Sequence, residues 1–423
     1  MALHALPLMM VGLAAGRLAT EMARADWPQW RGPRRDDVST ETGLQKAWPE
    51  AGPPRIWLFE ECGLGYAGPA IVGGRLYIMG TRDGREALLA LDASTGSELW
   101  ATPFGDLFQN DWGDGPRSTP TVDGDLAYCL GAQGKLVCVR AESGEVVWMK
   151  AMQDLGGATP AWGYSESPII HGDNILCTPG GPNGAVAALD KRTGELRWQM
   201  TDATSAAHYS SIVLMQHDGH DEAVQLLPDQ LIGFSPVSGK LLWTVPWPRP
   251  VAAIPTPIVR EQYVYATSGY GVGCKLVKIG PEHSTEVVYD NKVMKNKHGG
   301  VILVGDYLYG HSDGVGWVCQ DFATGEQVWR NRDALGMGAV AYADGMLYCL
   351  SEDAGEVVLV EASPAGWNER GRFTLEPQST LRKDRGRIWV HPVICDGRLY
   401  LRDQNVVACY DVREKPAEVS GGQ

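Results

Sequence analysis

The chain has 423 residues, 44% hydrophobic and 21% charged, with 37 basic against 51 acidic side chains and a formal charge of -14. That is globular composition with ample material for a large core. The acid excess repels duplexes and anionic headgroups, and no run of Lys and Arg offers a local exception, which argues against nucleic-acid and membrane-surface partners.

In chain order, Leu6 to Ala15 form a short apolar run and Ala23-Arg24-Ala25 a small-x-small cleavage pattern. Residues 1–25 therefore read as a secretory signal peptide, and the protein as periplasmic or extracellular. The run falls short of the ~20 apolar residues that span a bilayer. No later segment is long and apolar enough, so no membrane span is expected. Residues 26–54 are rich in Pro and Trp and predict an extended segment packed on the outside of the domain formed by the later residues. Nine cysteines are present without any C-x-x-C pair. Cys129 and Cys138 could meet across a hairpin, but the favoured reading is small buried apolar side chains within strands.

From residue 55 one pattern repeats. Its closing segments are Thr95-Gly96 to Trp100, Ser143-Gly144 to Trp148, Thr193-Gly194 to Trp198, Ser238-Gly239 to Trp243 and Thr324-Gly325 to Trp329. Degenerate members end at Tyr289 and Phe373. A period of about 40–50 residues carrying four short alternating strands is a propeller blade. Gly permits the positive φ of the tight turn before the last strand. The preceding Asp92, Asp190 and Asp321 can cap that turn, and each Trp offers a large face for the neighbouring blade with an indole N–H that needs an acceptor.

The aromatics from Trp57 to Phe373 imply eight blades. Arg55 to Phe59 is a fourth strand without its three predecessors, while Trp389 to Ile394, Arg398 to Arg402 and Val406 to Tyr410 are three strands without a fourth. Pairing them closes the ring. The predicted fold is an all-β, eight-bladed propeller of four-stranded blades over 55–414, followed by a flexible tail at 415–423. A monomer is expected.

The units Ala90 to Trp100 and Ala188 to Trp198, of the form Ala-Leu-Asp-x-x-Thr-Gly-x-x-x-Trp, resemble the tryptophan-docking motif of the quinoprotein (PQQ-like) β-propeller superfamily. The opening Trp27-Pro28-Gln29-Trp30-Arg31-Gly32-Pro33 is similar to that of exported PQQ-like repeat proteins of planctomycete-type bacteria. The resemblance covers residues 27–414 and implies two kinds of relative, pyrroloquinoline quinone (PQQ) dehydrogenases with calcium and non-catalytic BamB-type assembly factors. The chain departs from both. It has no adjacent cysteines and no haem-attachment motif, and no cysteine to carry a lipid stands near Ala25.

Propeller function gathers where the inner strands begin. Those starts place Arg117, Glu166, His208, His298 and His391 at comparable positions, with Trp162, Tyr164 and Trp389 as neighbouring stacking surfaces. Three imidazoles and Glu166 converging on one mouth could bind a metal or act as acid-base groups, and Arg117 could grip a carboxylate. The plainer alternative is a wet channel whose polar groups bond one another. The tip His217 to Glu222 is rich in ligand atoms but reads as a solvated turn. The leading reading is a non-catalytic binding propeller for a protein or small acidic ligand, requiring no cofactor. The alternatives are a PQQ-dependent oxidoreductase with Glu166 near calcium and, behind it, a metal-dependent hydrolase or lyase on the histidines.

Overall fold

A computed structural model describes residues 26–415; the signal peptide expected at 1–25 and the tail from 416 lie outside the described residues. Eight antiparallel sheets follow one another around a central bore. Blade 1 comprises Ala70–Val72, Arg75–Arg82, Arg85–Asp92 and Glu98–Asp106, and the pattern recurs through blade 7, Gly338–Ala343 to Glu369–Thr374. Blade 8 joins Val393–Cys395, Arg398–Asp403 and Val406–Asp411 to the N-terminal strand Arg55–Phe59, with Trp57 opposite Cys409. The two ends of the chain thus share one sheet, as the complementary shortage of strands predicts.

The middle strands are buried on both faces because each sheet is sandwiched between neighbours. One hydrophobic cluster joins Leu126, Tyr128 and Cys138 of blade 2 to Ile175, Cys177 and Leu189 of blade 3. All nine cysteines are buried, as small apolar side chains within strands would be. Cys129 lies opposite Val137 and Cys138 opposite Tyr128, so the two sulfurs occupy opposite faces of the sheet and cannot meet across the hairpin.

The turn and docking chemistry follows the repeat. Asp92 accepts from the amides of Ser94 and Thr95 at 2.8 and 2.9 Å, and Asp190 from Arg192 and Thr193 at 2.8 Å each. The turn glycine of each such blade sits under the closing aromatic of the blade before it. A Cβ on Gly96 would come 2.7 Å from the Trp57 ring, and one on Gly194 2.7 Å from Trp148. The indoles of Trp57 and Trp148 donate to Ala93 O and Lys191 O, each at 3.0 Å. Trp100 and Trp198 find no protein acceptor among the described residues, so the hydrogen bond is not a general part of the device. In blade 8 the turn is split between chain ends, and Gly52 takes the glycine's place beneath Phe373.

The N-terminal segment corrects the expectation of an outer strap. It runs through the bore and touches the inner edge of every blade. Trp27 exchanges backbone bonds with Ile71 at 2.7 and 2.8 Å, and Pro28 O accepts from Val122. Arg35 donates to Ser167 O, Pro168 O and Ile212 O at 2.6–2.8 Å. Trp30 Nε1 reaches Thr256 Oγ1 at 3.0 Å, and Arg31 Nη2 reaches Val301 O at 2.6 Å. Val38–Ser39 adds a short parallel strand to Gly338–Ala343, and Asp37 meets His391 at 2.8 Å. The physical reason is the ring itself, since every inner strand presents unpaired peptide groups to the bore. The segment then leaves beneath blades 7 and 8, where Leu44 and Trp48 enter the core.

Two substitutions test these anchors. Gly194→Ala places a Cβ against Trp148 at φ +74°, and should lower the unfolding free energy by about 1–3 kcal/mol. Arg35→Met strands the buried carbonyls of Ser167 and Ile212, while Pro168 O keeps the Thr121 hydroxyl; each unmade bond is worth about 1–3 kcal/mol, so a loss of about 2 kcal/mol or more is expected in urea unfolding. A change within about 0.5 kcal/mol, the level of an ordinary surface substitution, would contradict the anchoring role.

Candidate binding site at the channel mouth

Where the inner strands begin, the bore opens into a cavity of about 180 Å³. Its floor is the N-terminal segment, through Trp30 and Arg31. Its walls are loops that lead into the blades and carry Tyr66, Trp112, Trp162, Tyr209 and Trp389, joined by Tyr270 from the turn between the second and third strands of blade 5, with Arg117, His298 and His391 between them. Trp112 and Tyr270 stand exposed at the rim. Trp162 and Tyr209 face each other at 5.7 Å, and Trp389 stacks on His298 at 4.9 Å while meeting Tyr66 at 5.1 Å.

Arg117 lies where the sequence places it. Its guanidinium packs over the Phe108 and Tyr66 rings, 4.7 and 5.5 Å from their centroids. It donates to the carbonyls of Gly113 and Gly115, so its fork is held in place with further N–H groups left over. Arg31 is more deeply set. Nε donates to Asp37 at 2.6 Å and Nη2 to Asp36 O and Val301 O, whereas Nη1 is buried with no protein acceptor among the described residues. A buried donor of that kind calls for an acceptor from outside the chain.

The expected ring of metal ligands does not form. Glu166 points away from the mouth and is buried in the wall, where it accepts from Thr178 N at 2.6 Å and Thr178 Oγ1 at 2.8 Å. Burial pushes its carboxyl up to about 7, and the Thr178 bonds only partly offset this. His208 lines a separate recess beside Asp229 and Arg249, and its Nδ1 is taken by Ala253 N at 3.1 Å. His391 does face the cavity, but both ring nitrogens are engaged, Nδ1 with Asp37 and Nε2 with His298 O at 3.0 Å. Both nitrogens are thus directed at protein oxygens rather than at the open cavity. His298 remains as a neutral wall, its pKa depressed to about 4 by desolvation first and then by the charge of Lys297. Tyr164 is fully buried and donates to Pro179 O, outside the cavity. The mouth thus unites Arg117, His298, His391, Trp162 and Trp389 and leaves out Glu166, His208 and Tyr164. These residues stand in irregular backbone ahead of the inner strands, Glu166 and His298 each three residues before one, so their place in the repeat does not set which way they point.

Sequence reasoning missed Trp30, Arg31, Trp112 and Tyr270. Trp30 and Arg31 stand in the opening Trp-Pro-Gln-Trp-Arg-Gly-Pro run, whose density of aromatic and cationic groups was the available signal. Tyr270 stands in a Gly-rich turn that the repeat pattern explains without it.

Among the described residues no carboxylate lines the cavity. A hard cation such as calcium takes six to eight oxygen ligands, carboxylates among them, and these walls do not fit it. Nor does the volume suit a cofactor of the PQQ class, since pockets for molecules of that size run to about 300–1,000 Å³. A cavity of about 150 Å³ holds a benzene ring, so this one suits a single ring or a compact pair of rings.

The comparisons with known proteins agree with this architecture. The chain is similar to BamB from Moraxella catarrhalis, with a TM-score of 0.62 at 16% identity, covering 85% of this chain and 99% of that one. It is similar also to quinohemoprotein alcohol dehydrogenase from Comamonas testosteroni, with a TM-score of 0.60 at 12% identity over 94% and 82% of the two chains. At these identities the likeness is one of fold. In sequence it is 30% identical over 174 residues to the serine/threonine-protein kinase AfsK of Streptomyces griseus, 40% of this chain but only 20% of that protein. Residues 84–331, more than half of the chain, match the family described as outer membrane protein assembly factor BamB. With its docking tryptophans, its turn glycines and its ring closed by the chain's own ends, the protein belongs to that family of PQQ-like repeat propellers.

Proposed function

We propose that the protein is a non-catalytic binding propeller, acting outside the cytoplasm, whose mouth takes an aromatic group bearing an acidic substituent. The ligand is a free aromatic acid or an aromatic residue of an acidic peptide. The observation that carries this reading is Arg31 Nη1, a buried donor without a protein acceptor among the described residues, on the floor of a cavity walled by aromatic rings. Aromatic walls favour a flat apolar guest through offset and edge-to-face contacts. The two arginines favour an anionic one, Arg117 as a fork held between rings and Arg31 as the floor donor. Because the walls do not fit calcium or a PQQ-sized cofactor, the reading includes no redox step.

Phenylacetate and its uncharged counterpart benzyl alcohol separate the two contributions. Phenylacetate should quench the tryptophan fluorescence and raise the melting temperature, with benzyl alcohol binding at least tenfold more weakly. A hydrogen bond to a charged group is worth about 1.5–3 kcal/mol, so Arg117→Met should weaken phenylacetate by roughly tenfold or more and leave benzyl alcohol unchanged. Equal affinity for the two probes, or none for either, would refute the reading. An aromatic acidic peptide that binds where free phenylacetate does not would assign the source to a protein partner.

The mouth also carries a pH dependence. Glu352 Oε2 lies 3.8 Å from His298 Nδ1. Its pKa is raised to about 7 by burial first and by the neighbouring Asp353. Below that pH the carboxyl is neutral, and above it a negative charge stands beside the cavity. Affinity for phenylacetate should therefore rise as pH falls from 8 to 6, and Glu352→Gln should flatten the profile.

A further inference from the structure

At the opposite end of the bore, where the inner strands finish, blades 4 and 5 meet without a docking glycine, as do blades 6 and 7, where Gly366 faces open space and Trp329 packs on Trp367. Trp243, the closing aromatic of blade 4, should dock on a turn glycine of blade 5. That turn, Gly280-Pro281-Glu282-His283-Ser284, lacks the Thr-Gly pair of its counterparts. Glu282 and His283 instead adopt left-handed backbone at φ +54° and +59° without the glycine that usually relieves it. The Trp243 indole turns back into its own blade and donates to Glu222 Oε2 at 2.8 Å.

The consequence is a cluster of three ligand-type side chains from two blades. His217 ends the inner strand Val213–His217, Glu222 lies on the next strand His220–Leu226, and His283 arrives from the turn of blade 5. His217 Nδ1 is 2.9 Å and His283 Nδ1 3.1 Å from the same carboxylate oxygen, Glu222 Oε1. The three ligand atoms lie within 4.8 Å of one another. Around a tetrahedral ion with bonds of ~2.0–2.1 Å, adjacent ligand atoms stand about 3.3 Å apart, so the side chains already hold near-coordinating positions.

A plain hydrogen-bonded cluster accounts less well for these facts. Glu222 is 1% exposed, and His283 Nδ1, though close to it, is buried without a properly directed hydrogen bond. A ring nitrogen near a carboxylate oxygen but not aimed at it is the arrangement of two ligands sharing an ion. Trp243 would then fix the second carboxylate oxygen, as outer partners of ligands commonly do.

The geometry points to a binding site for a borderline divalent transition metal of the zinc class, formed by His217, Glu222 and His283. Two imidazoles and one carboxylate select such ions over calcium and magnesium. Solvent reaches the site past the partly exposed His283 and the exposed Asp218, whose carboxylate lies 4.0 Å from His217 Nε2. That side leaves room for a fourth ligand. The ion would staple blade 4 to blade 5 where the usual glycine–tryptophan contact is missing.

The test uses the full chain stripped by chelator and titrated with Co²⁺. One equivalent should give the visible bands of a tetrahedral cobalt site, displaced by one equivalent of Zn²⁺, and Zn²⁺ should raise the melting temperature. His283→Ala, on an exposed turn, should lose the bands and the stabilisation while melting like the chelated parent. Glu222→Gln should lose them too, and His220→Ala, exposed on the same hairpin, should keep both. Absence of stoichiometric Co²⁺ and Zn²⁺ binding by the parent, or bands that survive in His283→Ala, would overturn the assignment. The phenylacetate measurements at the other end of the bore are unaffected by either outcome.

Discussion

A ring of sheets must satisfy the inner edge of each blade, and in this protein that constraint shapes nearly everything else. Peptide groups facing a bore cannot all be met by the neighbouring blades. The chain meets many of them with its own N-terminal segment, which bonds to all eight inner edges within a few turns. Fitting so many partners requires a contorted path, with Arg31, Arg35 and Asp37 in left-handed backbone at φ near +60°. Such conformations cost of order 1–3 kcal/mol each and persist where surrounding bonds over-determine them. Here the bonds are arginine forks on carbonyls, short and charge-assisted. The burial this demands depresses Arg35 to about 9, mainly through desolvation.

The floor of the mouth is therefore a by-product of closing the bore. Trp30 and Arg31 face the cavity because the residues on either side of them are tied to blades 1, 2, 7 and 8. Fold and site share one element, so the cavity's base is as rigid as the ring. The walls are different, being built from the longer loops that precede each inner strand, which are the places where a propeller varies without disturbing its blades.

The blades were legible because their signals are local and repeated. A Gly under a Trp, an Asp capping a turn and alternating apolar residues each declare themselves within about ten residues, and repetition removes the ambiguity any one of them carries. Ring closure was legible for the same reason, from a shortage at each end. The plug was not, because nothing in Trp27 to Asp37 says which blades its arginines will reach; those bonds span more than a hundred residues of sequence. The site residues failed in a patterned way. Arg117 and His298 lie at strand starts facing inward, while Glu166 and His208 stand at equivalent alignments with their side chains turned into the wall. Glu166 and His298 each stand three residues before a strand, in irregular backbone, and an alignment of such loops without coordinates does not fix the direction of a side chain.

The electrostatics of the mouth run against those of the whole. The chain carries a formal charge of -14, yet the cavity lining holds Arg31 and Arg117 and, among the described residues, no carboxylate. Asp37 offsets one of them from below and divides its hydrogen bonding between Arg31 and His391. At physiological ionic strength the screening length is about 8 Å, so the acid excess of the outer surface is largely damped at the floor of the bore. An anion nearing the protein first meets a surface of its own sign, and the attractive field reaches it only within the aromatic rim. Long-range steering is thus unavailable to such a ligand. On the proposed reading, selectivity would have to come from contacts made after entry, through ring stacking on Trp162 and Trp389 and the orphan donor beneath. The ligand that such a mouth would favour is one whose shape brings a flat face and a charge together.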